Sequence, residues 1–181
     1  MCTLVSMIGQ SCVDSRAGLY RLFAIATSKI DTITWDADQQ ITAITVVDPL
    51  TDFWTQVDPA KDTAFFTQEM TKVRNSKNYV QTLSFNRDGV SLADYMAIQG
   101  LADCCGVTIA AFSNDGTARV FGVEYTDGTL FKDIQLKAIS GFANSGTDPV
   151  SEFSERQLVF AANSGKEAPL TSLAESSFPL S

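Results

Sequence analysis

The chain contains no histidine. That removes the side chain that titrates nearest neutrality, the commonest transition-metal ligand and the base of every Ser-His and Cys-His nucleophile pair. What remains for chemistry is carboxylates, thiols and a few aromatic residues. Asp31, Asp36 and Asp38 could offer oxygen ligands to a divalent cation, but Asp in the stretch Asp36-Ala37-Asp38-Gln39, set between two apolar runs, is first of all a turn former. Glu69, Glu124 and Asp133 could supply the paired carboxylates of glycoside hydrolysis, a chemistry governed by a separation that position along the chain does not set; solvated strand faces explain them as well. Cys2, Cys12, Cys104 and Cys105 lack metal-ligand spacing, and a vicinal pair rarely forms a relaxed disulfide. The Cys104-Cys105 pair could be redox-active, yet after Leu101 and Ala102 it reads better as small apolar packing. Phosphate loops, dinucleotide fingerprints, zincin motifs, calcium loops and nucleophile elbows are missing. The expectation is a protein with no catalytic residue, no metal and no cofactor.

Charge narrows the partners. Lys and Arg number 13 against 21 Asp and Glu, a formal charge of −8, which withholds the attraction to phosphate that drives non-specific nucleic-acid binding. With 45% hydrophobic and 19% charged residues over 181 positions, the composition suits one globular domain spanning 1–181. No apolar run is long enough for a membrane-spanning helix, and Met1-Cys2-Thr3-Leu4-Val5-Ser6 lacks the basic start of a secretory signal, so no membrane contact is expected. Four free thiols fit a reducing compartment.

The elements that would carry these residues are mostly strands. Short runs rich in Thr, Val, Ile and Phe, punctuated by turn dipeptides, predict about nine strands in an antiparallel arrangement. Leu19 to Thr27 opens the series, and Ile30 to Trp35 with Gln40 to Val47 reads as a hairpin. Residues 48–62, DPLTDFWTQVDPAKD, form a long loop whose Phe53, Trp54 and Val57 would be costly to leave in water, and subunit contact is one way to bury them. Thr63 to Thr71 and Tyr79 to Arg87 make a two-faced hairpin, with Thr67, Glu69 and Thr71 on one side of the first strand. Thr82, Ser84 and Asn86 lie opposite Leu83 and Phe85 on the second. One helix starts after Gly89, capped by Ser91 with Asp94 three residues on, and ends at Gly106. Val107 to Ser113, Thr117 to Tyr125 and Thr129 to Ile139 follow as a meander, its last turn Asp127-Gly128. After the loop Gly141 to Ser154, a final strand runs from Arg156 to Ala162. A polar tail, 163–181, is expected to dock on a neighbour or stay disordered, and residues 1–17 form an N-terminal arm. The fold class is mainly β (α+β): an antiparallel β-barrel or sandwich with one flanking α-helix.

This order of elements carries a resemblance. LYRLFAIA, the hairpin ITWDADQQITAITVV, the long loop, a hairpin ending QTLSFNRDG, the helix SLADYMAIQGLADCC, the meander GVTIAAFSNDGTARVFGVEYTDG and the closing RQLVFAANSGKEAPL resemble the major tail tube proteins of tailed bacteriophages. Their barrel-plus-helix fold is shared with the tube proteins of type VI secretion and contractile injection machines. The resemblance covers about residues 15 to 170 and rests on pattern and order.

The resemblance implies hexameric rings stacked into a hollow tube, with hairpins of neighbouring subunits paired edge to edge as a continuous inner barrel. The partners implied are other copies of the chain, further tail proteins (terminator, baseplate or tape measure) and DNA in transit, without specific binding. The location implied is the virion, after assembly in a host cytoplasm. Thr67, Glu69, Thr71, Thr82, Ser84 and Asn86 are the lumen candidates, with Asp133, Gln135 and Lys137 as a second group. An acidic or neutral lumen repels phosphate, a pattern from which Arg87 and Lys137 depart. Phe53, Trp54 and Val57 would reach the adjacent ring, and Pro169 and Leu170 would add subunit contacts. Two other readings compete: a different virion ring protein, such as a head-tail connector, tail terminator or capsid decoration protein, and a monomeric β-barrel binding module or carbohydrate-active enzyme. The latter needs a pocket with converging polar groups.

Overall fold

A computed structural model describes residues 18–60, 63–73, 76–88, 100, 103, 106–144 and 155–180. Among the described residues twelve strands follow in order: β1 Leu19–Ala26, β2 Ile30–Trp35, β3 Ile41–Val46, β4 Thr55–Val57, β5 Phe65–Val73, β6 Ser76–Asp88, β7 Val107–Ser113, β8 Ala118–Phe121, β9 Val123–Asp127, β10 Leu130–Asp133, β11 Lys137–Asn144 and β12 Glu155–Ser164. Every ladder between them is antiparallel. They form sheets ordered β4-β1-β7-β8 and β11-β12-β6-β5, with two-stranded sheets β2-β3 and β10-β9, and none closes into a barrel. The N-terminal arm, loop residues 145–154, Cys104 and Cys105 lie outside the described residues. So does the helix expected from Ser91 to Gly106, apart from Gly100, which is helical, Asp103 and Gly106.

The strands LYRLFAIA and VTIAAFS lack the apolar-polar alternation of a half-solvated strand, so both faces need cover. They become β1 and β7, paired from Leu19↔Ser113 to Ala26↔Val107. Leu22, Ala24 and Ala26 of β1, with Val107, Ile109 and Ala111 of β7, enter one core cluster; Phe23 and Ile25, with Ala110 and Phe112, enter a second on the opposite face. The first cluster is completed by Leu83 and Phe85 of β6 and by Leu158, Phe160 and Ala162 of β12, so the sheet β11-β12-β6-β5 is one cover. The second is completed by Ile30, Ile33 and Ile41 of the β2-β3 hairpin with Trp54 and Phe178. Inside this sandwich of layers Thr27 and Thr108, both buried, satisfy one another across 3.0 Å between their hydroxyls.

Several expected elements are redrawn. The long loop 48–62 contributes β4, which pairs with β1 through Leu22↔Val57 and Ala24↔Thr55 and so belongs to the central sheet. The single strand expected from Thr117 to Tyr125 breaks at Gly122, whose φ is +98°. A Cβ there would stand 2.2 Å from the Val107 carbonyl oxygen, so the chain turns against β7 at a distance no other residue permits. The strand expected from Thr129 to Ile139 also divides, at Gln135 with φ +55°, into β10 and β11 of different sheets.

The tail expected to dock on a neighbour or to remain disordered instead docks on its own chain. Leu170 carbonyl accepts from Ile41 N–H, Pro169 carbonyl from Val120 N–H and Pro179 carbonyl from Trp54 N–H. Phe178 stacks on Phe23 with ring centroids 4.9 Å apart and meets Trp54 edge-on at 4.9 Å. The end of this strap is clamped by Glu175, which accepts from the Tyr20 hydroxyl at 2.5 Å and pairs with Arg21. Arg21 also reaches Asp58 at 3.1 Å. Burial by itself would raise the Glu175 carboxyl, but hydrogen bonds from Tyr20 and Arg21 hold it below its ordinary value. Burial first, then the bond to Glu175, pushes the Tyr20 phenol up to about 12.

Two outcomes follow from this packing. Gly122→Ala should cost at least about 2 to 3 kcal/mol, combining a strained φ with a backbone collision, read as a lowered denaturation midpoint; an unchanged midpoint would show that β8 and β9 can move apart freely. The depressed Glu175 carboxyl contributes stability that is complete above its unfolded value and lost as pH falls through the folded one, whereas Tyr20 loses its contribution as pH rises from 10.0 through about 12. Glu175→Gln should therefore flatten the acid limb of melting temperature against pH, and an unaltered acid limb in that variant would dismiss the clamp.

Candidate functional site

Alternation along β5 and β6 gives the sheet β11-β12-β6-β5 two unlike faces. Phe66 on β5, Leu83 and Phe85 on β6, Leu158 and Phe160 on β12 and Ala138 on β11 point into the core. Their neighbours point away in rows set by the ladder: Phe65↔Ser84↔Val159↔Ser140 and Thr67↔Thr82↔Ala161↔Lys137. Thr67, Glu69, Thr71 and Lys137 are exposed, Thr82, Asn86, Gln157, Val159 and Ala161 half-buried. Large apolar groups stand at the two margins, Phe65 of β5 at 52% exposure and Ile139 of β11 at 63%. Toward its hairpin end the sheet outruns its cover, for Met70, on the core side of β5, is 55% exposed.

Of the nine lumen candidates, the ladder brings the first six, Thr67, Glu69, Thr71, Thr82, Ser84 and Asn86, onto this one face. Ser84 is nonetheless buried at 3%, in the row between Phe65 and Val159, and its hydroxyl has no hydrogen-bond partner among the described residues. Asp133 and Gln135 are not on it. They form the turn between β10 and β11, where an Asp133 carboxylate oxygen accepts from Gln135 N–H at 2.6 Å. Lys137 is on the face. Arg87 belongs to the opposite side, buried at 3% with its guanidinium donating to the Asp58 carbonyl at 3.2 Å, so it adds no charge there.

The subunit-contact candidates need correcting. Trp54 and Val57 are buried within the chain, at 2% and 1% exposure, because β4 is drawn into the central sheet and Phe178 closes over the indole. They offer no surface to a neighbour. Phe53, Pro169 and Leu170 are half-buried, the last two holding the strap to β3 and β8. The apolar groups that the 47–53 turn does present are Val47 at 60% and Leu50 at 82% exposure. That turn is held firmly: Asp48 accepts from Leu50 N–H and the Thr51 hydroxyl, each at 2.9 Å, and Asp52 pairs with Lys29 at 3.0 Å. The signal for Leu50 was its place after Pro49 in a turn, and for Phe65 its parity with Thr67 and Glu69.

The other chemical candidates separate. Asp36 accepts from the N–H groups of Asp38 and Gln40 at 2.9 and 2.8 Å, as a turn former does. Glu124 lies opposite Lys132 in the β9-β10 ladder, which turns the adjacent Asp133 to the other face, while Glu69 sits in another sheet. Glu124 is taken up by the Ser164 hydroxyl at 2.7 Å and Gly165 N–H at 2.9 Å. An open cleft of about 290 Å³ lies beside it. Its cations face inward partners: Arg119 donates to the Ala168 carbonyl at 2.8 Å, and the Lys166 ammonium lies 4.7 Å from the Tyr125 ring centroid. Among the described residues no group of three or more His, Cys, Asp or Glu could hold a metal ion. Comparison with known proteins found no matching family model, no matching curated protein and no matching solved structure.

Removing the Trp54 indole should destabilise the isolated chain by about 3 to 5 kcal/mol, through lost burial and a cavity against Phe178 and Phe23. Chemical denaturation of Trp54→Ala checks this, and a variant with wild-type stability would return Trp54 to the surface.

Proposed function

We propose that this chain is a structural subunit that assembles with copies of itself into stacked rings, forming a tube of the phage-tail kind through which a genome passes. The observation that carries the reading is the sheet β11-β12-β6-β5. One face is dry, the other is open, and among the described residues neither margin strand, β5 or β11, has a partner beyond the sheet. Long unpaired margins are an aggregation hazard in a monomer and a joining surface in a ring, where closure leaves none exposed. Strand direction alternates across the four, so β5 and β11 run oppositely, and copies set side by side in one orientation continue the antiparallel ladder.

In such a ring the open face lines the channel. Glu69 and Lys137 balance one another, Thr67, Thr71, Thr82 and Asn86 are neutral, and the ladder row Asp88↔Glu155, at the parity of Asn86, adds two acidic positions, so the wall does not grip a phosphate backbone. The overall charge of −8 adds a weak repulsive background. The rigid turn carrying Val47 and Leu50 supplies the contact between stacked rings that Phe53, Trp54 and Val57 had been expected to make. The remaining tail proteins would cap the tube, and the virion would be its location.

Negative-stain electron microscopy over a concentration series, with light scattering on the same samples, tests the reading. Hollow rings or tubes are expected, and a species that stays monomeric at every concentration would overturn self-assembly and leave a binding module as the better description.

A further inference from the structure

We propose that the joint between copies has one register: β5 of one subunit pairs antiparallel with β11 of the next, Phe65 opposite Ile139 and Thr67 opposite Lys137. The inference rests on the self-assembly reading and adds which residues make the seam.

Three observations select that register. The first is apolar exposure at the margins, where Phe65 and Ile139 stand 52% and 63% exposed. Phe65 belongs to the open face, since its neighbour Phe66 packs inward, and Ile139, set at the bulge between inward-packed Ala138 and Ser140 of the open row, is displayed to solvent at the opposite margin. An aromatic ring beside a β-branched side chain is among the more favourable cross-strand pairs, and directly opposed residues always share a face. The second is height. The ladder row that begins at Phe65 passes through Ser84 and Val159 to Ser140, and Ile139 sits beside that end, at the bulge between Ala138 and Ser140. The two groups therefore meet with almost no stagger between subunits.

The third is charge. In this register Lys137 faces Thr67 and lies diagonal to Glu69, close enough for an ion pair between long side chains. The symmetric alternatives are worse. Joining β5 to β5 gives Glu69 no cation on the open face, since Lys72 has the opposite parity, and joining β11 to β11 gives Lys137 no carboxylate, since that strand has none. Only the unlike joint satisfies both apolar and charged groups, and an unlike joint repeats around a ring where a like joint stops at two copies.

Cysteine cross-linking reads the register directly, because opposed residues in an antiparallel ladder are within disulfide reach. Phe65→Cys combined with Ile139→Cys, mildly oxidised after assembly, should give a ladder of covalent multimers on a non-reducing gel. Wild type and the two single variants carry the background of the four native cysteines and should give no ladder. Rings or tubes of the double variant without a ladder would overturn the register while leaving self-assembly intact; a wild-type chain that never assembles overturns both. Should the double cysteine variant fold poorly, a charge exchange decides. Glu69→Lys and Lys137→Glu should each raise the concentration needed for assembly roughly two- to fivefold, and the two together should restore it. Failure of the pair to restore assembly would also overturn the register.

Discussion

Burial of β1 and β7 on both faces is the constraint from which the rest of the structure follows. Eleven of the fifteen residues of LYRLFAIA and VTIAAFS are apolar and they fall on both faces of the strands, so the central sheet needs a cover on each side. One cover is a second sheet and the other is assembled from pieces: a hairpin, the indole of Trp54 and a strap ending in Phe178. Several of the polar groups that enter this interior are paired, while the Gln81 side-chain oxygen and the Trp35 indole N–H have no partner among the described residues. Thr27 meets Thr108, and Asp58, 5% exposed, is held by Arg21 and by the Gln56 amide at 2.9 Å. An unpaired carboxylate at that depth would undo much of what the apolar contacts gain.

The two covers have opposite consequences. The patchwork over Phe23 and Phe112 is finished within the chain, because the strap is bound by backbone bonds to β3 and β8 and clamped by Glu175 at its end. The sheet over Leu22 and Ile109 is finished on one face only. Its central strands β6 and β12 have a strand on each side, while its margins have no further strand partner among the described residues and carry large apolar side chains. The proposed self-assembly rests on an asymmetry internal to the fold: the same central sheet that exhausts one layer's surface leaves the other with a surface still to satisfy.

Rigidity at the turns supports this division. Asp36 and Asp48 bind their own backbones, and Gly122 packs against β7 where any side chain would collide. The turn tips are thereby fixed in place, and Val47 and Leu50 are displayed to solvent on a preorganised loop, which in the proposed assembly would lower the entropic cost of burying them.

Local pattern in the sequence determined the β class, the turns at Asp36 and Gly116, and the two faces of β5 and β6, because alternation and turn chemistry act over a few residues. The six polar positions from Thr67 to Asn86 share a face as that alternation implied. Tertiary structure alone decided which apolar residues were consumed by the chain itself. Trp54 and Val57 carry no local mark separating a core residue from a contact residue, and their burial depends on β1, thirty residues earlier, and on Phe178, far later. The breaks at Gly122 and Gln135 were equally invisible, since a strand that changes sheet keeps its period of two on both sides of the break. Asp133 and Gln135 were thereby separated from Lys137, because sheet membership is set by hydrogen bonds to distant strands and not by the residues that make the strand.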